Sequence, residues 1–568
     1  MKTRIDWKTY IVTPLLLSLP LTGCGSAEAK IPEPVLPPDA LVTVSIPDVH
    51  RTIDAFQEIT DRILPEEARV QLKTEIGKAI EDPGLKGIPS GAGAALVWDG
   101  THGFAFLECT PETAQKLVEL AKAPQVSTAA EGDFFLLSNT PTGLEQGIRN
   151  AKAVSETLLQ KNMAGVVLQS RLADLTQRFM PQINMMTMMM PNMMAAQTSP
   201  GMPENQANTL RGMATFVEGE LRVLTSLASQ IESMEVVLLP SKESLTTTTT
   251  FSVKEDTNLH ALVTAPTVAE PDPLVSTDLL QPGAIEFEMR MGNPNTVWTF
   301  LQAEADHLFA EMTLEPDTVA NAKEMMKLWR PFLSSSMAET MCMNPETGFS
   351  MDFIASIQDK DAYLNLIKSM PETMKPFTDF YEELGMPIRF EVTMNARTYR
   401  DADIHRYGFR YELDQMDPVI AEQMKRVGMS KMDSELTVLD NRVLWTMGDA
   451  SLENLIDRVR KGASGENKLH ARKVHPAGGF GYYDIEVGEY MAFIASTIPE
   501  GAGEAIFNKM IEELKNTPPM TGAAFQHEHR VQFIQTLPVE ILKASATAGY
   551  KNAISSTSQP SAKPVSPR

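Results

Sequence analysis

The chain has 568 residues, 43% of them hydrophobic, and a formal net charge of −23. That length supports about two to four domains. The acidic balance excludes broad binding to nucleic-acid phosphates, which requires basic groups to neutralise them, and disfavours wide electrostatic contact with an anionic membrane surface. Beyond the first 25 residues or so, no apolar run approaches the ~20 residues of a bilayer-spanning helix.

The N-terminal stretch carries the most specific pattern. Lys2, Arg4 and Lys8 form a basic lead, Ile11 to Leu21 an apolar core, and Leu21-Thr22-Gly23-Cys24 closes it. The apolar core is too short to span a bilayer but fits a signal-peptide core. The pattern resembles the signal peptide and lipobox of a bacterial lipoprotein. The resemblance implies cleavage after residue 23 and a covalent lipid on Cys24, with diacylglycerol on sulfur and an acyl chain such as palmitate on the amine. More than one acyl chain makes the anchor stable. The competing reading is an ordinary secretory signal in which Cys24 is incidental. Position 25 is Gly rather than the Asp associated with inner-membrane retention, which favours an outer membrane, facing the periplasm, where the host has one. Cleavage removes three basic residues and one acidic, leaving a mature chain near −25.

Residues 24–38, with Pro32, Pro34, Pro37 and Pro38, read as a tether reaching roughly 40 Å at ~3.1 Å per residue. A first α+β half is expected over 39–263. Leu41 to Ile46 alternates like a strand, and Asp48 caps a helix beginning at Val49. A second helix follows near Glu66 to Ile80. Ala94 to Trp98 and Phe104 to Leu107 form a hairpin, and Thr110-Pro111 opens another helix. Asp133 to Ser138 is a strand and Thr142 to Ala153 a helix. A weaker copy of the phrase runs from Gly165 to Val253.

A proline-rich linker is placed at 264–278 and a second half at 279–554. Ile285 to Met289 opens that half, followed by helices from Asn295 to about Ser334, a hairpin through Phe349 to Ile357, and a helix from Asp361. Strand pairs are expected at Leu436–Leu439 with Val443–Met447, and at Gly522–Gln526 with Val531–Thr536. Residues 555–568 are Ser/Pro-rich and expected to be disordered. The fold class is α+β. Strand–helix–hairpin–helix units recur about four times, giving antiparallel sheets with helices packed on one face.

Methionine is the compositional anomaly, at 34 residues. Met185, Met186, Met188, Met189, Met190, Met193 and Met194 cluster within an insertion near 180–203, where Asn184, Pro191 and Asn192 favour a loop. Three readings stand: a low-complexity insertion, an adaptable apolar surface, and a thioether site for Cu(I). His527-Glu528-His529 would present two imidazoles on one strand face, or else occupy a turn. Cys109 and Cys342 are expected to be free thiols rather than a disulfide. Gly478-Gly479-Phe480-Gly481 lacks the spacing of a nucleotide loop, and Gly462-Ala463-Ser464-Gly465 that of a nucleophile elbow. No catalytic residue and no cofactor beyond the covalent lipid is nominated. The expected function is therefore a membrane-anchored envelope lipoprotein, non-catalytic, that binds a partner or an apolar ligand. Metal handling and an enzyme without a recognisable motif are the alternatives.

Overall fold

The computed structural model describes residues 36–547 apart from 38, 122–124, 160–162, 197–218, 220, 266–271, 291, 312–315, 345–347, 376–377, 379–387, 417–420, 423–424, 426–430, 463–468 and 497–503. The stretch resembling a lipobox, Cys24, most of the expected tether and the C-terminal residues 548–568 lie outside the described residues.

Elements follow one another in four successions. The first contains β1 (Val42–Ile46), α1 (Val49–Ile63), α2 (Leu72–Ala79), β2 (Ala94–Trp98), β3 (Gly103–Glu108), α3 (Pro111–Leu120), β4 (Ser127–Glu131), β5 (Phe134–Ser138) and α4 (Pro141–Leu158). The second contains β6 (Val166–Ser170), α5 (Leu172–Ala196), α6 (residues 221–230), β7 (Ile231–Pro240), β8 (Ser244–Val253) and α7 (Asn258–Val263). The third begins with β9 (Ile285–Arg290), α8 (Pro294–Glu311), α9 (Pro316–Trp329), β10 (Ser336–Asn344), β11 (Gly348–Ser356) and α10 (Lys360–Thr373). It continues with β12 (Ile388–Tyr399), β13 (Ala402–Tyr411), β14 (Lys431–Leu439), β15 (Arg442–Met447) and α11 (Leu452–Lys461). The last contains α12 (Ala471–Val474), β16 (Gly481–Ile485), α13 (Val487–Ser496), α14 (Glu504–Leu514), β17 (Met520–His527), β18 (Arg530–Pro538) and α15 (residues 539–547).

Local chemistry starts these helices where the sequence predicts. Asp48 accepts the Arg51 N–H at 3.0 Å ahead of α1. Thr110 and Thr140 cap α3 and α4, each followed by a proline whose missing N–H has no helical partner to lose.

All described strands join one sheet, in the order β4-β5-β3-β2-β1-β6-β7-β8-β18-β17-β16-β9-β10-β11-β15-β14-β13-β12. Every pairing is antiparallel. Within each half the opening strands pair with each other: Val44 faces Leu168 across β1–β6, and Phe287 faces Tyr483 across β9–β16. The halves meet at β8–β18, where Thr248 faces Ile534. The two halves expected from sequence are therefore continuous in one sheet.

The expectation of helices on one face is corrected by the outer parts of this sheet. Phe104, Phe106 and Leu136 pack under α4 with Ala151, Val154 and Leu158. Their alternates Leu107 and Phe135 pack on the other face with Val49 and Ile53 of α1 and Ala114 and Leu117 of α3. The far end does the same. Ile354 and Leu444 lie under α11, whereas Phe353, Ala355 and Trp445 lie under α10. Strands apolar at both parities need cover on both faces.

The linker also needs correction. Val275, Leu279 and Leu280 belong to the buried core with Ile354 and Leu444, and Asp272 is bound by the Arg442 guanidinium, Nη2 to Oδ1 at 3.0 Å. Residues 272–280 are thus part of the second half's core.

The central sheet inverts the usual pattern on one face. On β1 it is Thr43 and Ser45 that are buried, while Val42, Val44 and Ile46 are only half-buried. Thr43 donates to Gln169 at 3.4 Å, and Gln169 donates to Glu235 at 2.6 Å, a polar ladder across β1, β6 and β7. Gly522 on β17 faces Tyr483 on β16, and a Cβ there would lie 2.2 Å from the tyrosine ring. We expect Gly522→Val to displace Tyr483 and cost about 1–3 kcal/mol by overpacking, read as a lower denaturation midpoint. An unchanged midpoint would show that the ring moves freely.

Candidate functional site

The Met-rich stretch is helical, which overturns the loop expected from Asn184, Pro191 and Asn192. Helix α5 runs unbroken from Leu172 to Ala196. Leu, Met, Gln and Ala dominate it, all good helix formers, and they outweigh the prolines at 181 and 191. Thr176, Met180 and Ile183 form its inward stripe; the other described side chains from Gln177 to Met189 are exposed. Met185, Met186 and Met189 are among those exposed. Met188, Met190, Met193 and Met194 contribute backbone to the same helix, and their side chains lie outside the described residues.

The inward stripe forms one wall of a cleft of about 310 Å³. Met180, Ile183 and Asn184 of α5 face Arg222, Thr225, Ser226 and Ser229 of α6, with His307 of α8 closing one side. Glu304, one turn before His307, braces this arrangement. Its carboxylate accepts from Ser226 Oγ at 2.8 Å, Gln230 Nε2 at 2.8 Å and Asn258 Nδ2 at 3.1 Å, which ties α6, α7 and α8 together. The cleft is thus bounded by a braced polar wall and by an apolar pair, Met180 and Ile183. Its volume is at the small end of ligand sites.

The remaining sequence candidates fall elsewhere. His527 ends β17 and Glu528 follows it with φ +54°, so the two histidines flank a tight turn instead of sharing a strand face. Among the described residues no group of three or more His, Cys, Asp or Glu is placed to hold a metal ion. Phe480-Gly481 leads into β16, with the Phe480 N–H donating to Ala524 O at 2.8 Å. Gly462 ends α11 with φ +80°. Cys109 and Cys342 are both free, and burial pushes each thiol's pKa up. The Cys342 thiol lies 3.2 Å from Pro282 O.

Most buried acids have evident partners. Glu288 is paired with Arg472, Asp352 with Arg458 at 2.8 Å, and Asp484 accepts the Ala471 N–H at 2.8 Å. Glu339 is different. It lies on β10 directly between Phe287 and Phe353 of the neighbouring strands. Phe353 meets Trp445 edge-on at 5.6 Å, Trp445 stacks on Tyr407 at 6.0 Å, and the buried Trp445 Nε1 has no partner among the described residues. Burial pushes the Glu339 carboxyl up to about 7. Sequence pattern missed both Glu339 and the cleft. The available signal for Glu339 was a charge at a strand position whose cross-strand neighbours are phenylalanines.

A carboxyl raised in the folded state favours folding in its protonated form. Its contribution is intact below the unfolded value near 4.5 and is lost as pH rises toward 7. We expect Glu339→Gln to leave the unfolding free energy nearly unchanged at pH 4 and to raise it by roughly 3 kcal/mol at pH 8. Denaturant titrations at the two values check this, and equal effects at both would refute it.

No protein-family model matches the chain, and no curated protein matches it. A solved structure titled "Structure of crystal form III of TP0453" aligns with 50% of this chain and 99% of its own, at 9% identity and a TM-score of 0.20. At that score the alignment carries no argument about fold or function.

Proposed function

We propose that the protein is a lipid-anchored envelope lipoprotein, non-catalytic, whose body binds a small amphipathic ligand in the cleft between α5, α6 and α8. One observation carries the ligand reading: Met180 and Ile183 of α5 face a braced polar wall bearing Arg222 and His307 across about 310 Å³. Thioether side chains adapt to irregular apolar shapes, and the polar wall suits a charged or hydrogen-bonding head. The anchor reading rests on Leu21-Thr22-Gly23-Cys24 and the proline tether. We infer in addition that the four strand–helix–helix–hairpin–helix successions are copies of one unit, since opening strands pair with opening strands in both halves.

For the ligand reading, a fluorescent fatty acid titrated into the protein is expected to saturate. Thr225→Trp, which fills the cleft from α6, is expected to weaken binding more than about tenfold with an unchanged melting midpoint. Equal binding by the variant places the ligand elsewhere. For the anchor, the protein extracted from membranes of a lipoprotein-processing host is expected to begin at Cys24 and to carry the mass of acyl chains. An unmodified Cys24 in that preparation would sink the anchor reading.

A further inference from the structure

We propose that the outer face of helix α5 docks on the bilayer surface to which the chain is tethered. This rests on the anchor reading above for the source of the membrane, but its chemistry is independent of the acylation of Cys24. The argument begins where the tether joins the body. Arg171 immediately precedes α5; its N–H donates to Leu41 O at 2.9 Å and its guanidinium to Pro37 O at 3.0 Å. The chain from Cys24 therefore reaches the folded body at the first turn of α5.

Lengths then match. Twelve residues, the number from Cys24 to position 35, can span at most about 37 Å at the ~3.1 Å per residue of polyproline geometry. Helix α5, with 25 residues, spans about 37 Å at 1.5 Å per residue. A membrane that holds the lipid is thus within reach of the helix along its whole length.

The helix surface has the matching chemistry. Phe179, Met185, Met186 and Met189 are 38%, 56%, 57% and 50% exposed. At 100° per residue the three methionines fall within an arc of about 100°. Side chains so placed give an interfacial helix its apolar face. From Phe179 to Ala196 there is no charged residue, in a chain of which 22% is charged. At the helix base, Trp98 stacks on Phe179 at 6.2 Å. Leu96, on the same face of β2 as Trp98, is 47% exposed and extends the apolar surface onto the sheet. Indole rings favour the interfacial zone, where one edge is apolar and the other wet. The net charge of the rest of the chain would repel anionic lipid, so an uncharged helix is the surface suited to approach a bilayer by apolar burial alone.

The test uses the chain from residue 24 onward, carrying Cys24→Ala and therefore unlipidated, with phosphatidylcholine vesicles in a flotation assay. The expected result is that the folded protein floats with vesicles. Met185→Asn, Met186→Asn and Met189→Asn together should weaken this more than about tenfold. Circular dichroism and the melting midpoint should stay unchanged, because those side chains are exposed. If the Cys24→Ala protein is folded but does not float, or the triple variant floats equally well, the proposal is overturned. It is also overturned if the helix instead mediates a dimer that the triple variant abolishes, with no vesicle binding. Acylation of Cys24 is read separately by mass, so flotation with an unmodified Cys24 would uphold the docking surface while removing the anchor.

Discussion

The antiparallel joint between β8 and β18 is the constraint on which the molecule depends. Ser244 to Ser252 pairs with Pro538 to Arg530, partners 278 to 294 residues apart in sequence, and this pairing makes one sheet of two halves. Without it each half would end in an exposed strand edge, with unpaired N–H and C=O groups along its length. The run Thr246 to Thr250 supplies the inner strand of this joint. Its β-branched side chains suit a strand on either face, and the Thr250 hydroxyl also accepts from Gln532 Nε2 at 3.2 Å.

The joint also decides where the helices lie. The outer strands carry apolar residues on both faces and so recruit helices to both. The central strands bury a polar ladder, Thr43–Gln169–Glu235, on one face. Burial raises the Glu235 pKa, and the Gln169 amide partly offsets that cost by donating to it. On the other face the second and third successions meet. Glu304 on α8 ties α8 to α6 and α7 of the preceding succession, and the cleft exists because those helices are held at that spacing.

Helix α5 shows how local composition and tertiary placement divide the work. Its N-terminal turns are pinned by Arg171, by the Trp98–Phe179 stack and by Arg178, which donates to Thr101 Oγ1 at 2.7 Å. Beyond them only Met180 and Ile183, among the described side chains, turn inward. The methionines of the stretch are compatible with helix, since neither Met nor Ala resists helical geometry. Asn184, Pro191 and Asn192 carry local turn preferences, which the helix formers around them within Leu172–Ala196 override.

Much of the element pattern was legible in the sequence because it rests on local periodicity and caps. Asp48 and Thr110-Pro111 marked helix starts, and Ala94 to Leu107 read as a hairpin, whereas the Thr140 cap just ahead of the helix expected from Thr142 came from the structure. The hairpin β12–β13 was missed although Phe390, Val392 and Met394 alternate along it; the alternation is masked by charged residues on its exposed side. What tertiary structure alone decided is the pairing of strands far apart in sequence, the cover on both faces and the inclusion of Val275 and Leu280 in the core. It also decided the cleft and the isolation of Glu339 among aromatic strands. Each depends on which surfaces meet after folding, and periodicity specifies a face without specifying its partner. The proposed lipobox reading of Leu21 to Cys24 is the reverse case: it rests on a short linear motif, which a chain displays before it folds.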